Sequence, residues 1–329
     1  MPAAARKILY WSIATEPVYD IIRAELPPDC ELVTLPAESE VARRDRIADA
    51  EVVIVAGSRL PRPMIEAAER LRLVHHQGVG YHDTVDVAAL AERGIPLALT
   101  PAGTTIGVAE HTVMLIIATM KHLAFADAEL RRGRWHVNRL RPASRELYGR
   151  TVGYVGMGRI GQAVAERLRA FGTKGLYVDD AAPLSDVKAE ALNLRRVDFD
   201  ALLREADIVT LHVPLTSETR HLIGAAAIAR MKPGAMLINT ARGGIIDEAA
   251  LYEALQSGRL GGAGLDVFET EPPPVDHPLL TLPNVVLTPH ISAGTRDALQ
   301  TKMRSLFANV SRFYAGEPLH DQVDLHAAR

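Results

Sequence analysis

Three side chains that could form a catalytic set each follow a predicted buried strand in the second half of the chain: Arg242, Glu271 and His290. Because the carboxyl ends of parallel strands meet at one edge of a sheet, we expect these side chains to lie close together. An arginine can hold a substrate carboxylate and polarise a neighbouring carbonyl. A histidine can donate the proton that becomes a hydroxyl proton, and a carboxylate can hold that histidine and stabilise its protonated form. The set suits hydride reduction of a 2-keto acid to a 2-hydroxy acid.

Each of these residues has a simpler interpretation when it is taken alone. Arg242 could form a surface salt bridge, although its place between Ala241 and Gly243 favours a tight loop. His290 could be an ordinary loop histidine, and Glu271, which precedes a run of prolines, could be a solvated turn residue. The predicted delivery of all three to one edge of one sheet is the stronger observation.

A hydride carrier is indicated by the stretch Val152–Gly161, where an apolar strand runs into a Gly-x-Gly-x-x-Gly turn and then a helical pattern. Gly156 permits the tight turn, Gly158 lets a pyrophosphate approach the backbone, and Gly161 lets the helix pack against the strand. The helix N-terminus offers N–H groups and a partial positive charge to the phosphates. An ordinary turn between strand and helix is the simpler alternative. The residues predicted to bind a dinucleotide here are Gly156, Met157, Gly158, Arg159, Ile160 and Gly161.

The form of the cofactor is indicated by Asp179, which follows the predicted strand Gly175–Val178, eighteen residues after Gly161. A carboxylate there accepts hydrogen bonds from the ribose hydroxyls of an adenosine and repels a 2′-phosphate. Asp180 and Ala181 follow, with no arginine or lysine to favour that phosphate. We therefore predict NAD, with NADP as the alternative.

The composition fits a globular protein and excludes several classes of partner. A length of 329 residues is long for one domain, and 48% hydrophobic with 23% charged residues is ordinary for a globular chain. The charges are interspersed and sum to −3, so we expect no nucleic-acid partner. The single cysteine, Cys30, excludes an internal disulfide and a multi-cysteine metal site. We predict no metal, because the chemistry above needs none.

Nothing in the sequence indicates a membrane or secreted protein. The residues after Met1–Lys7 form a short apolar run that indicates a first strand rather than a signal peptide. The longest apolar run, Val113–Ala118, is far too short to span a bilayer. We therefore expect a cytoplasmic location and no membrane partner.

Strands alternate with helices along both parts of the chain, which predicts an α/β fold with two doubly wound parallel-sheet domains. A helix predicted over Ala293–Tyr314 follows the complete nucleotide domain and can return to the first domain. The prediction is a discontinuous substrate domain of residues 1–101 and 294–329 and a dinucleotide-binding domain of residues 102–293. We expect a cleft and a hinge between them.

A long helix is predicted from about Thr105 to Leu130, and its middle is apolar nearly all round. Such a helix should be buried by more than its own sheet. A domain junction combined with a homodimer interface explains this pattern, and a core helix of a single chain is the alternative.

The motifs resemble those of the D-isomer-specific 2-hydroxyacid dehydrogenase family over nearly all of the chain. The resemblance implies a flavodoxin-like substrate domain, a Rossmann NAD domain and a catalytic trio of Arg242, Glu271 and His290. It also implies that Asp266 lies near the nicotinamide carboxamide, while Glu271 is the catalytic carboxylate. The matching stretches are Gly78–Ala109, Val155–Gly161, Leu211–Thr216, Met231–Asp247, Leu265–Pro272 and Thr288–Ser292.

Further cofactor contacts follow from the same resemblance. It implies that Thr240 and Ala241 line the cofactor site and that His212 and Pro214 bound the adenosine pocket. Arg242 and His290 complete the predicted cofactor-binding set, together with Asp179 and Asp266.

The substrate contacts are expected in the first domain and at Arg242. The resemblance suggests that the backbone N–H groups of Gly78 and Val79 bind the substrate carboxylate. Arg59 also follows a strand and could bind a phosphorylated or extended acid, or could simply be solvated. Glyoxylate, hydroxypyruvate, pyruvate and 3-phosphohydroxypyruvate are the candidate 2-keto acids. The related formate-oxidising branch carries a glutamine where this chain has Glu271, which argues against that activity.

A different class of function is also compatible with these motifs. A dinucleotide-sensing binding protein of the corepressor type, built on the same fold, would retain similar residues.

Overall fold

The protein forms two compact units in a computed structural model, which describes residues 5–325. The first unit contains the described residues up to Thr104 and from Thr295 onward, and the second runs from Thr105 to Gly294. The predicted boundaries, at 101/102 and 293/294, lie three residues and one residue earlier. The predictions for the extreme ends, including part of Met1–Lys7, fall outside the described residues.

The first unit is built on a five-stranded parallel sheet. Its strands are β1 (Arg6–Tyr10), β2 (Cys30–Val33), β3 (Val52–Val55), β4 (Leu73–His76) and β5 (Leu97–Leu99). Its first helices are α1 (Glu16–Ala24), α2 (Glu40–Ile47), α3 (Arg62–Ala67) and α4 (Val87–Glu92). The order β2-β1-β3-β4-β5 is that of flavodoxin-like sheets, and β3, a run of valine and isoleucine, is buried at every position.

The second unit is built on a seven-stranded parallel sheet. Its strands are β6 (Thr151–Val155), β7 (Lys174–Val178), β8 (Leu194–Arg196), β9 (Ile208–Leu211), β10 (Ala235–Asn239), β11 (Leu260–Leu265) and β12 (Val285–Leu287). The helices from the unit boundary onward are α5 (Thr104–Met120), α6 (Leu123–Arg131), α7 (Val137–Ala143), α8 (Arg159–Arg169), α9 (Asp186–Ala191), α10 (Phe199–Glu205), α11 (Ala225–Arg230) and α12 (Glu248–Gln256). Short 3-10 turns occupy Gly243–Ile245 and Pro278–Thr281.

The strand order of this second sheet is β12-β11-β10-β9-β6-β7-β8. The chain starts at β6 and builds outward to β8, then returns to β9 on the other side of β6 and builds outward again. A crevice opens where the order reverses, between β6 and β9, and open α/β sheets bind ligands there. The predicted α/β class with two doubly wound parallel sheets is confirmed.

The last helix, α13 (Arg296–Ala315), belongs to the first unit. Thr295 caps it by accepting a hydrogen bond from the Ala298 N–H at 3.1 Å. The helix buries an apolar stripe in the same core cluster as residues of β1, β3 and β4, and the buried stripe residues are Met303, Leu306, Phe307 and Val310. The predicted amphipathic helix therefore covers one face of the first sheet.

The single helix predicted over 105–130 is wrong, because the structure divides it into α5 and α6. His122 adopts a left-handed conformation with φ of 52°, which no α-helix can continue through. Leu115 and Ile116 of α5 are buried, as expected, whereas Ile106 and Met114 are exposed. Helices α2 and α7 and strand β8 were not predicted.

Within residues 5–325, no helix combines the length and the apolar character needed to cross a membrane.

Candidate active site

The glycine turn after β6 has the geometry that a dinucleotide pyrophosphate requires. Gly156 has φ of +93°, and a Cβ atom on it would lie 2.7 Å from the His212 carbonyl oxygen. A Cβ atom on Gly161 would lie 2.5 Å from the Gly156 carbonyl oxygen, so this helix start approaches the turn closely. Gly158, which caps α8, faces open space, because nothing lies within 4 Å of a Cβ atom built there. The residues present therefore fit a phosphate at the start of α8.

Asp179 follows β7, and its side chain is hydrogen-bonded to the glycine turn after β6. Its Oδ2 accepts the Met157 N–H at 2.7 Å, and its Oδ1 accepts the Ala182 N–H at 2.8 Å. The structure also brings Arg196 of β8 to this corner, where its guanidinium lies 3.2 Å from Asp180 Oδ1 and 3.4 Å from the Asp179 carbonyl oxygen. No basic residue was expected here, because Arg196 lies far along the sequence from Asp179.

The residues predicted to line the rest of the cofactor site follow β9, which pairs with β6 on the side away from β7, and β10, the next strand beyond β9. The His212 N–H donates to the Val155 carbonyl at 2.7 Å, and its Nε2 lies 3.1 Å from Thr210 Oγ1. Burial lowers the pKa of His212 to about 3, so its ring is neutral at physiological pH. Thr240 Oγ1 lies 2.9 Å from Thr112 Oγ1.

Two of those residues sit in turns at the same edge. Ala241 N–H donates to Asn239 Oδ1 at 3.0 Å, and the Pro214 carbonyl accepts the Thr219 hydroxyl at 2.6 Å. The predicted residues Thr240, Ala241, His212 and Pro214 thus all lie just beyond the carboxyl ends of β9 and β10.

Arg242 is partly buried in the turn after β10, and that turn is held against the segment after β11. Asn239 Nδ2 donates to the Arg242 carbonyl at 2.8 Å. The next residue, Gly243, packs so closely that a Cβ atom on it would lie 1.9 Å from the carbonyl carbon of Phe268. This approach brings the backbone that carries Arg242 beside the residues that lead to Glu271.

Asp266 is fully buried at the end of β11 and binds the loop that carries His290. Its Oδ1 accepts the Thr288 hydroxyl at 2.6 Å and the Ile291 N–H at 2.9 Å, and its Oδ2 accepts the Ser292 N–H at 2.8 Å. Its backbone carbonyl accepts the His290 N–H at 2.8 Å. The sequence singled out Asp266 for a cofactor contact, and these contacts show that it also fixes the position of the 288–292 loop.

His290 and Glu271 form a hydrogen-bonded pair at this edge, with His290 Nδ1 and Glu271 Oε2 2.7 Å apart. His290 has φ of 52°, and Glu271 Oε1 accepts the Phe268 N–H at 3.1 Å. Burial raises the pKa of Glu271, but the hydrogen bonds from His290 and the Phe268 N–H and the positive charges of His290 and Arg242 outweigh it, and the pKa lies below its ordinary value. The structure therefore joins Glu271 and His290 directly and places Arg242 near enough for its charge to act on Glu271, while the Arg242 Nη1 donates to the Ala241 carbonyl at 2.8 Å.

The other predicted substrate contacts, Gly78, Val79 and Arg59, belong to the first unit. The Gly78 N–H donates to His76 Nδ1 at 2.9 Å. This N–H was expected to bind a substrate carboxylate, but here it binds an imidazole of its own chain. Val79 is exposed. Arg59 is exposed as well, and its carbonyl accepts the Trp11 Nε1–H at 2.8 Å, which ties its loop to the end of β1.

Comparison with known proteins identifies the kind of domain that the second unit forms and the family of the chain. Residues 113–292 match the model of the NAD-binding domain of D-isomer specific 2-hydroxyacid dehydrogenases, so the second unit is an NAD-binding domain. This match covers more than half of the chain, and the chain belongs to the D-isomer specific 2-hydroxyacid dehydrogenase family.

Individual relatives agree with this assignment. The chain is 43% identical to a D-3-phosphoglycerate dehydrogenase of Methanocaldococcus jannaschii over 85% of its length, but it spans only 53% of that relative. It is 43% identical to a hydroxypyruvate reductase of Thermotoga maritima, over 77% of this chain and 81% of the relative. The NAD complex of an NAD-dependent formate dehydrogenase from Staphylococcus aureus has a similar fold, with 31% identity, a TM-score of 0.85, and coverage of 96% of this chain and 97% of that chain.

Proposed function

We propose that the protein is an NAD-dependent oxidoreductase that interconverts a small 2-keto acid and the corresponding D-2-hydroxy acid by hydride transfer. The observation that carries the proposal is the His290–Glu271 hydrogen bond of 2.7 Å at the carboxyl edge of an NAD-binding sheet, beside Arg242. Family membership supports the reaction class.

Each member of the trio has a distinct role in this proposal. The bound cofactor supplies the hydride for reduction and accepts it in oxidation. Arg242 holds the substrate carboxylate and polarises the carbonyl as negative charge develops on its oxygen. His290 Nδ1 is bound to Glu271, so Nε2 is the nitrogen that exchanges a proton with the substrate oxygen. Glu271 fixes the orientation of the His290 ring, and it stabilises the positive charge of that ring after His290 takes up a proton.

The remaining substrate contacts are proposed from the first unit. Gly78 and Val79 would bind the substrate carboxylate through backbone N–H groups, and the Gly78 N–H would first have to leave His76 Nδ1. Arg59 would bind a larger or phosphorylated acid. The relatives include a D-3-phosphoglycerate dehydrogenase and a hydroxypyruvate reductase, which supports 3-phosphohydroxypyruvate and hydroxypyruvate as acids to examine. Glyoxylate and pyruvate are the other two candidates.

We further propose a homodimer with a cytoplasmic location. Large apolar side chains are exposed on α5, α6 and the residues that follow, and Trp135 is 77% exposed. A second copy of the chain would cover this surface. Light scattering at working concentration should give the mass of a dimer, and a monomeric mass would contradict this assembly.

A panel of 2-keto acids tests the proposed reaction. Purified protein with NADH should lose absorbance at the nicotinamide band with at least one of the four acids. Glyoxylate gives achiral glycolate, so the stereochemistry is read from the other three acids, whose product should be the D-isomer by chiral chromatography. No turnover across the panel, or formation of the L-isomer, would contradict the proposal.

A further inference from the structure

The segment that carries Glu271 is bound on both sides by one carboxylate, that of Glu248 at the start of α12. Glu248 Oε1 accepts the Glu269 N–H at 2.9 Å. Its Oε2 accepts the Nε2–H of His277 at 3.1 Å. Glu269 lies two residues before Glu271 and His277 lies six residues after it. We call residues 268–277 the Glu271 segment.

The Glu248–His277 pair is shielded from solvent. The two side chains are 12% and 16% exposed, whereas His221 and Glu269, a pair that joins the Glu271 segment to another part of the chain, are 45% and 33% exposed. A shielded hydrogen bond to a charged group contributes more than an exposed ion pair, because water competes less for it. His277 also packs edge-on against the Phe268 ring, with the centroids 6.1 Å apart.

The orientation of the His277 ring depends on Glu248. Nδ1 of His277 is buried and has no hydrogen-bond partner among the residues that the structure describes, so Nε2 makes the polar contact of this ring. A carboxylate that holds Nε2–H fixes both the tautomer and the ring plane, as carboxylates do for catalytic histidines.

Two consecutive backbone N–H groups of the segment donate to two different carboxylates. The Phe268 N–H donates to Glu271 Oε1, and the Glu269 N–H donates to Glu248 Oε1. The first bond aims the Glu271 side chain, and the second fixes the backbone from which that side chain extends. Gly243 packs against the same two residues. Any movement of the Glu269 backbone would therefore move Glu271 relative to His290.

We propose that Glu248, acting with His277, is a positioning residue for the Glu271–His290 pair. The proposal rests on the proposed function, because it assigns Glu248 a role in the same proton transfer without placing it in contact with substrate or cofactor. A carboxylate is required, because each of its oxygens accepts one hydrogen bond. Glutamine would offer one acceptor and would present a donor to the second partner.

The test compares Glu248→Gln with Glu253→Gln in the full chain with NADH. Glu253 is an exposed residue of the same helix, so its variant is a matched control for the loss of one charge. Glu248→Gln should lower kcat roughly tenfold to a hundredfold, as expected for a misplaced catalytic group. NADH affinity should stay that of the wild type. In the direction of reduction, the alkaline limb of kcat/KM should move to lower pH, because His290 loses support for its protonated form. Glu253→Gln should match the wild type in all three measurements.

A second measurement separates this inference from the proposed function. Crystal structures of the wild type and of Glu248→Gln, both with NADH, report the Glu271 Oε2 to His290 Nδ1 distance without any turnover. We expect this distance to exceed about 3.5 Å in the variant, and two atoms that far apart no longer form a hydrogen bond. If the wild type turns over none of the acids, the proposed reaction fails while this distance still decides the inference.

Either a wild-type kcat with an unshifted pH profile or a retained 2.7 Å contact in Glu248→Gln would overturn the positioning role. If Glu248→Gln does not fold, His277→Phe replaces it in both measurements, because His277→Phe removes the donor of the hydrogen bond between His277 and Glu248. His277→Gln, which keeps a donor for Glu248, should retain more activity than His277→Phe.

Discussion

His290 Nδ1 and Glu271 Oε2 lie 2.7 Å apart, although the two residues follow different strands of the second sheet. Both side chains remain partly exposed, at 46% and 37%, so a ligand can reach the pair. The backbone that carries the ring is held as well, because the Asp266 carbonyl accepts the His290 N–H and the Asp266 carboxylate accepts the next two backbone N–H groups. One buried aspartate and one accessible glutamate thus fix a single imidazole.

Replacing the imidazole should separate chemistry from cofactor binding. His290→Ala removes the proposed proton donor and should lower kcat by ~10²–10⁴-fold. NADH affinity, measured by fluorescence titration, should change little, because the glycine turn and Asp179 are untouched. Glu271→Gln, which keeps the shape of the side chain, should show a smaller loss. A fully active His290→Ala would show that another residue transfers the proton.

Two glycines near the site should respond in opposite ways to the same substitution. Gly243→Ala places a methyl group 1.9 Å from the Phe268 carbonyl carbon, so the backbone must shift, at a cost of about 1–3 kcal/mol in the free energy of unfolding. Gly158→Ala meets no atom within 4 Å, so it should leave the melting temperature unchanged while it weakens NADH binding. Thermal unfolding and NADH titration of both variants test this contrast. A destabilised Gly158→Ala with normal NADH affinity would contradict it.

Coenzyme preference should depend on Asp179 and Arg196 together. The wild type should prefer NADH, because the Asp179 carboxylate repels a 2′-phosphate. Asp179→Ala should raise kcat/KM with NADPH, because Arg196 lies at the same corner and can pair with the phosphate. Adding Arg196→Ala should remove that gain. The measurement is kcat/KM for both coenzymes in the three proteins, and a wild type that prefers NADPH would contradict the assignment.

Acid should destabilise the first unit through His75. Burial lowers the pKa of His75 to about 4, and Nε2 of its ring lies 3.0 Å from Asn309 Nδ2 of α13. The unfolded histidine has a pKa of about 6.5, so as the pH falls the unfolded chain takes up a proton before the folded chain does. The contribution of His75 to stability is therefore full above pH ~6.5 and is lost as the pH falls toward ~4, by up to about 3 kcal/mol.

A variant that cannot take up this proton isolates the effect. His75→Gln keeps an acceptor for Asn309 and should lose less stability than the wild type between those two pH values, as measured by urea unfolding. Equal losses in the two proteins would show that other groups govern the acid sensitivity.

The sequence predicted most of the architecture, because most strands of the two sheets are short runs of buried apolar residues between glycine and polar turns. Strand β8, a Leu-Arg-Arg segment with exposed arginines, lacks this signal. Once the strands are known, the parallel order brings Arg242, Glu271 and His290 to one edge. The break between α5 and α6 could not be predicted in this way, since neither Lys121 nor His122 is a glycine or proline.

Contacts within the site were less predictable than the identity of its residues. The three hydrogen bonds that the Asp266 carboxylate accepts depend on how the 288–292 loop folds back over the end of β11. Arg196 reaches Asp180 only because β8 pairs with β7. Glu248 has the sequence signal of an ordinary acidic residue in the first turn of a helix, and only the three-dimensional structure shows that both of its oxygens hold the Glu271 segment.

The position of α13 in the chain has a consequence for biosynthesis. Val310 packs in the same core cluster as Ile8 and Ile54, so until Val310 has left the ribosome the face of the first sheet that α13 covers is only partly covered, by Tyr19 and Ile22 of α1. The second unit contains all of its strands between Thr151 and Leu287 and can complete its sheet earlier. We therefore expect the nascent chain to fold its NAD-binding unit first, while the amino-terminal sheet waits with exposed apolar surface that chaperones can recognise.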